Sequence, residues 1–247
     1  MILTIAYKEF RNQFALPSNW FILAALQVLF AWFYLGRMDA FLQVQAQLAQ
    51  LANAPGATQA VAVPLFGSLG LILMMLVPVL TMRTFAEERR SHTLALLLSA
   101  PVSDAQIVFG KFLGLMFFLA LIVAVGTGMV LTLGLGTHLD FGLIASNALG
   151  LLLMAACYAA LGLYLSALTA QPVVAAIGTL SLLFGSWLLE ASAPDQEAGW
   201  RALAPTSHFQ SLNNGLLHSG DLAYFLLFCA AFLLLTARRL QTNRLAD

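Results

Sequence analysis

The sequence predicts an all-α, polytopic membrane protein with six transmembrane helices. An interfacial helix precedes the first span, and a charged cytoplasmic element lies between spans two and three. Three observations lead to this class. Of 247 residues, 61% are hydrophobic and only 9% charged, against about a quarter charged in soluble domains. Six apolar stretches come close to or exceed the ~20 residues that cross a hydrocarbon core. They cover about residues 19–36, 61–82, 112–136, 142–168, 172–189 and 222–237. Finally, basic residues divide unevenly between the two sides these spans define.

Each element has a local reason. Residues 2–16 read as a helix lying at the interface: Ile2, Ile5, Phe10 and Phe14 share one face, while Lys8, Glu9 and Arg11 stay wet. No small-x-small site follows at a suitable distance, so the N-terminus is not read as a cleavable signal. Pro17 and Ser18 break the helix before the first span. After that span, residues 37–60 carry Phe41, Val44, Leu48 and Leu51 at helical spacing, which predicts an amphipathic extension. Pro64 and Pro78 fall in the second span, where each removes a backbone donor. Residues 137–141 form a tight turn. Residues 190–221 form the largest outer segment, with two stretches, near Trp200–Leu203 and residues 209–217, apolar enough to dip into the membrane as short helices. All spans are helical, because only helices and closed barrels satisfy their backbone in lipid.

Orientation follows from Lys and Arg. One side carries Lys8, Arg11, Arg83, Arg89, Arg90, Lys111, Arg238, Arg239 and Arg244; the other carries only Arg37 and Arg201. This positive-inside bias makes both termini cytoplasmic. The chain is read as one transmembrane domain over residues 1–247.

Several function classes fall away. Eleven basic residues balance eleven acidic ones, so nothing indicates nucleic-acid binding. Cys157 and Cys229 lie in apolar runs and read as small packed hydrophobes. The four histidines are dispersed without zinc-ligand spacing. No Asp, Glu, Lys, Arg or His lies well inside a span, which weighs against ion-coupled transport and against an intramembrane enzyme. Gln27, Thr127, Asn147, Ser166, Thr179 and Ser181 are the mild polar groups at depth, suited to helix–helix hydrogen bonds or to lining a path. No G-x-x-x-x-G-K-[ST] is present, so energy for uphill movement has to come from another chain.

The stretch RTFAEERRSHTLALLLSAPVSDAQIVFGK, residues 83–111, is the natural place for that energy to enter. Residues 84–99 have a helical pattern, with Phe85, Leu94, Leu97 and Leu98 inward and Glu87, Glu88, Arg89 and Arg90 outward; Glu87 is spaced to pair with Arg90. Pro101 ends this helix. Ser103 then caps a second one, with Gln106 completing a capping box and Asp104 in the first turn. That helix runs through Lys111 into the third span, so a push on the corner is carried into the bundle.

This stretch resembles the most recognisable segment of ABC-2 type transporter permeases: an acidic-basic run, Thr-x-x-x-Leu-Leu, an x-Pro-Val-Ser corner, and Gly-Lys opening the next span. The stretch APTSHFQSLNNGLLHSGDLAYF, residues 204–225, is similar to the outer segment and last span of the branch that includes gliding-motility and nitrous-oxide-reductase-maturation permeases. The resemblance implies a permease subunit of an exporter in the bacterial cytoplasmic (inner) membrane. It pairs with a second permease subunit, identical or related, and is driven by two copies of an ABC ATPase. No cofactor is expected on this chain; ATP-Mg belongs to the ATPase, and the chain is not itself an enzyme. The resemblance further implies an ATPase-coupling set of Glu87, Glu88, Arg89, Arg90, His92, Thr93, Pro101, Ser103 and Gln106. Family members often have Gly at the place of His92 and an acid at that of Ala95. Trp200, His208 and Phe209 are candidates for an outer gate or for contact with an outer-side accessory protein. A non-transporting scaffold that recruits partners through the same cytoplasmic element is the alternative reading.

Overall fold

The computed structural model describes residues 2–48, 56, 58–91, 93, 102–192 and 202–246. Among them, helix is the only extended regular structure, and six helices are long and apolar enough to cross a membrane. The N-terminal helix α1 spans Ile2–Ala15. It ends one residue before α2, Pro17–Leu48, because Pro17 supplies no N–H and has the fixed φ suited to a helix start. The corner is pinned by side chains. Asn19 Nδ2 donates to the Gln13 carbonyl at 2.8 Å, and Trp20 Nε1 donates to the Phe14 carbonyl at 2.9 Å. The anticipated helical extension beyond the first span is present as far as Leu48, to which α2 continues without interruption; Leu51 lies outside the described residues.

A π-helical turn, Thr58–Ala62, leads into α3, Val63–Thr81. Pro64 lies in the first turn of α3, where a missing N–H is least costly, and Pro78 lies inside the helix. A single residue, Met82, separates α3 from α4, Arg83–Arg90. Then come α5, Asp104–Leu131, a 3₁₀ turn at Thr132–Leu135, and α6, Phe141–Leu168. Asp140 caps α6 by accepting from the Leu143 N–H at 3.1 Å. The last three helices are α7, Pro172–Ala191; α8, Pro205–Asn213; and α9, Ser219–Ala246. All six expected spans therefore appear, several of them extended at one or both ends.

Helix α6 is the central post of the bundle. Leu151, Met154, Ala155, Cys157, Tyr158, Ala159 and Leu163 are all buried, and it packs against α3, α5, α7, α8 and α9. By contrast α2 is exposed to its surroundings along most of its length, with Phe21 and Trp32 at 77% and 76% exposure. That surface fits hydrocarbon rather than water. Small residues set the close approaches. A Cβ at Gly110 would stand 2.7 Å from Ile5 Cβ, and one at Gly114 would stand 2.8 Å from the Ala6 carbonyl. Thus α1 lies tightly along α5, on a seat that only glycine provides.

Helix α1 and the last turns of α9 meet at one side of the bundle, where Ile5 packs against the cluster that holds Leu240. Leu240 of α9 packs in one cluster with Phe85 of α4, Ile107 and Val108 of α5, and Leu163 and Ala167 of α6. At the opposite side the expected outer helix is displaced from its anticipated position: α8 covers Pro205–Asn213 rather than residues 209–217. Pro205 starts it and Gly215, at φ 81°, ends it. Leu212 and Phe209 are buried. Ser146 donates to the Leu212 carbonyl at 2.8 Å, and Asn147 Nδ2 donates to the Asn213 carbonyl at 3.1 Å, fastening α8 to α6. Trp200 lies outside the described residues.

Candidate functional site: a short helix clamped to three others

Helix α4 is only eight residues long. Beyond its near-continuous helical link to α3 through Met82 (φ −55°, ψ −33°), a helix this short draws its order from contacts with its neighbours. Three separate fastenings supply it. The first is at its start. Ser166 Oγ of α6 accepts from the N–H groups of Phe85 and Ala86, each at 3.1 Å, and donates to the Met82 carbonyl at 3.0 Å. One donor and two acceptors are the full hydrogen-bonding capacity of a hydroxyl. A side chain from a different helix thus does the work of an N-cap.

The second fastening is at its other end. Arg89 Nη1 donates to the carbonyls of Ala167 and Leu168, at 3.1 and 3.2 Å. These are among the last carbonyls of α6, which have no partner within their own helix, and a cation there also meets the negative end of the helix dipole.

The third is an ion cluster on the inner face. Lys111 of α5 is 2% exposed and donates to Glu88 Oε1 at 2.7 Å, Glu9 Oε1 at 3.0 Å and the Thr84 carbonyl at 3.1 Å. Its ammonium also stands 5.2 Å from the centre of the Phe85 ring. An ammonium has three protons, and all three have an oxygen acceptor here. Sequence reasoning counted Lys111 only as a basic residue. Its role is to join α1, α4 and α5.

These contacts correct three expectations. Glu9 is not a wet residue of α1, and Glu88 and Arg89 do not face outward. Glu88 turns in to Lys111 and Arg89 to the end of α6, while Glu87 pairs with Arg83 at 3.8 Å rather than with Arg90. The burial of Phe85 agrees with the expected inward face. What α4 leaves to the exterior is a polar strip: Arg83, Glu87, Arg90 and Ser91, followed by exposed Thr93. Ser103 and Gln106 form the anticipated capping box, with the Gln106 N–H donating to Ser103 Oγ at 3.3 Å and the Ser103 N–H to Gln106 Oε1 at 3.2 Å. Helix α5 then runs unbroken from this corner into its membrane-crossing part. His92, Leu94, Leu97, Leu98 and Pro101 lie outside the described residues.

At the opposite end, His208 and Phe209 have clear intramolecular positions. Phe209 is packed beside Gly150 and Gly70 within the bundle. His208 Nδ1 lies 2.6 Å from Asp221 Oδ1, its Nε2 lies 2.9 Å from the Ala202 carbonyl, and its ring stacks on Tyr224 with centroids 4.0 Å apart. Next to it, Glu190 at the end of α7 is buried and accepts from Thr206 Oγ1 and, at 2.9 Å, from Gln210 Nε2. Thr206 and Gln210 are four apart and so share a face of α8, but nothing in the sequence pairs that face with Glu190.

Six helices long and apolar enough to cross a membrane, a helix lying along α5, and a short polar helix fastened between spans define an all-α polytopic membrane protein. The family model described as ABC-2 family transporter protein matches residues 3–245. The chain belongs to that family, as a membrane permease component of an ABC transporter. No curated protein matches it in a sequence search.

Proposed function

We propose that the chain is the permease subunit of an exporter in a bacterial inner membrane. It is driven by a separate ABC ATPase, with one ATPase copy seated on α4 and the Ser103 corner of each of two paired permease chains, identical or related. Both termini face the cytoplasm in this reading, in keeping with the basic residues gathered at that end. ATP-Mg binds to the ATPase, and this chain contributes no catalytic group. Kinship with the gliding-motility and nitrous-oxide-reductase-maturation branch, and an outer-side partner near Trp200, His208 and Phe209, belong to the same proposal.

The observation that carries the reading is the triple fastening of α4. A docking helix transmits force only if it moves with the spans, and α4 is tied to α6 by Ser166 and Arg89 and to α5 and α1 by Lys111. In this reading the coupling set divides by task. Glu87, Arg90, Thr93 and Ser103 are exposed and present the contact surface. Glu88 and Arg89 anchor the helix, and Gln106 shapes the corner. His92 and Pro101 complete the set by resemblance.

The test is co-purification of the tagged chain from its own cells in mild detergent. An ABC ATPase is expected to accompany the unaltered protein. The double charge reversal Glu87→Arg with Arg90→Glu, at exposed positions that leave the anchors intact, is expected to lose it. Recovery of the chain without any ATPase, and growth unaffected by the reversal, would count against the proposal and favour the scaffold reading.

A further inference from the structure

Beside the clamp, α1, the first turns of α2, the end of α3 and α4 enclose a half-open cleft of about 550 Å³. Its lining is mixed. Ile22, Val79 and Leu80, on the membrane-crossing α2 and α3, contribute apolar surface, and Val79 is 41% exposed. Lys8 and Arg11 of α1 and Arg83 of α4 contribute cations, and Asn12, Gln13, Ser18 and Asn19 contribute neutral polar groups. Three carboxylates also line the cleft: Glu9 and Glu88 share Lys111, and Glu87 lies 3.8 Å from Arg83, so four cations face three carboxylates and the lining keeps a net positive charge. Among the described residues no carboxylate pairs with Lys8 or Arg11. They are three apart on α1, so they share a face, and both are exposed.

We propose that this cleft holds one anionic phospholipid, with its phosphate at Lys8 and Arg11 and its acyl chains leaving past Ile22 and Val79. The cationic and apolar parts of the lining argue for this together. Uncommitted cations favour a phosphate through charge-assisted hydrogen bonds, and a basic pair near a membrane surface adds attraction for anionic lipid. A water-soluble phosphate would meet the cations but leave the apolar surface uncovered, and that surface is what selects a lipid. Bound there, the lipid would fill the gap between α1 and α3 and couple the clamp to the surrounding bilayer. The inference needs only the membrane setting. It does not depend on ATPase docking.

The experiment is native mass spectrometry of the full-length purified chain titrated with phosphatidylglycerol, with phosphatidylcholine as the zwitterionic comparison and glycerol 3-phosphate as the headgroup without chains. Retention of one phosphatidylglycerol in preference to the other two probes is expected. The Lys8→Gln, Arg11→Gln double variant is expected to weaken it by about thirtyfold. A charge-matched control, Arg37→Gln with Arg238→Gln, changes exposed cations away from the cleft and is expected to retain it. Because Lys8 and Arg11 are exposed, their loss should leave the elution profile of the folded chain unchanged. Ile22→Trp with Val79→Trp fills the apolar part and should exclude the lipid while the cations remain. Equal retention by the cleft variant and the control would overturn the proposal. So would glycerol 3-phosphate binding as tightly as the lipid.

Discussion

The Lys111 ammonium and the Glu88 carboxylate lie 2.7 Å apart, joining the second turn of a membrane-crossing helix to a short helix 23 residues earlier in the chain. Glu9, from a third helix, completes the cluster at 3.0 Å. Removing water from a charge is costly unless partners replace it, and breaking such a buried group by deleting one member leaves the others uncompensated.

Lys111→Ala should therefore destabilise the protein by about 3 kcal/mol, within the range for a broken buried pair. Glu9→Gln or Glu88→Gln should cost less, because each leaves the ammonium one carboxylate. Thermal unfolding of the detergent-solubilised chain checks the order. A Lys111→Ala protein that melts with the unaltered one would show that the cluster does not hold these helices together.

Ser166→Ala removes three hydrogen bonds at once and leaves the Phe85 N–H, which has no partner within its own helix, without an acceptor. An unsatisfied buried donor costs roughly 1–3 kcal/mol. The expected signature is local: faster hydrogen exchange across α4, with α3 and α5 little changed. Ser166→Thr keeps the hydroxyl and should exchange more slowly than the Ala variant.

Helix α1 rests on Gly110 and Gly114. Gly110→Leu puts a side chain where Ile5 stands, and overpacking of this kind costs about 1–3 kcal/mol or displaces the helix. Displacement would also separate Glu9 from Lys111. A cysteine pair placed at Ile5 and Phe109 on a Cys157→Ala, Cys229→Ala background should cross-link less readily in the Gly110→Leu chain. Unchanged cross-linking would show that the seat tolerates bulk.

At the far end, Glu190→Leu strands the Thr206 hydroxyl and the Gln210 amide and should destabilise the α7–α8 contact by roughly 1–3 kcal/mol. Glu190→Gln retains an acceptor and removes a buried carboxylate, so it should be near neutral. Thermal unfolding separates the two, and equal losses would mean that charge rather than hydrogen bonding matters there.

Much of this architecture was legible in the sequence because its causes are local. The six spans follow from runs of apolar residues, the break before α2 from Pro17, and the start of α5 from Ser103 and Gln106. The boundaries of α8 were legible too, in Pro205 and Gly215, but apolar content at residues 209–217 outweighed those signals. The clamp was not legible. Glu9 and Lys111 are 102 positions apart, and Ser166 reaches back 80 positions to Ala86. A charged side chain gives no local sign of whether it faces water or a partner in the folded bundle. That is why Glu9, Glu88 and Arg89 were expected to be wet and are turned inward.

In the proposed function, α4 and the Ser103 corner seat the ATPase. The most direct measurement places a photo-reactive residue at Glu87, at Ser103 or, as a control at the other end of the bundle, at Leu135, which is 94% exposed. After irradiation in cells, a cross-linked product containing a nucleotide-binding subunit is expected from positions 87 and 103 and not from 135. No such product from 87 or 103, in a chain that is folded and in the membrane, would contradict the claim.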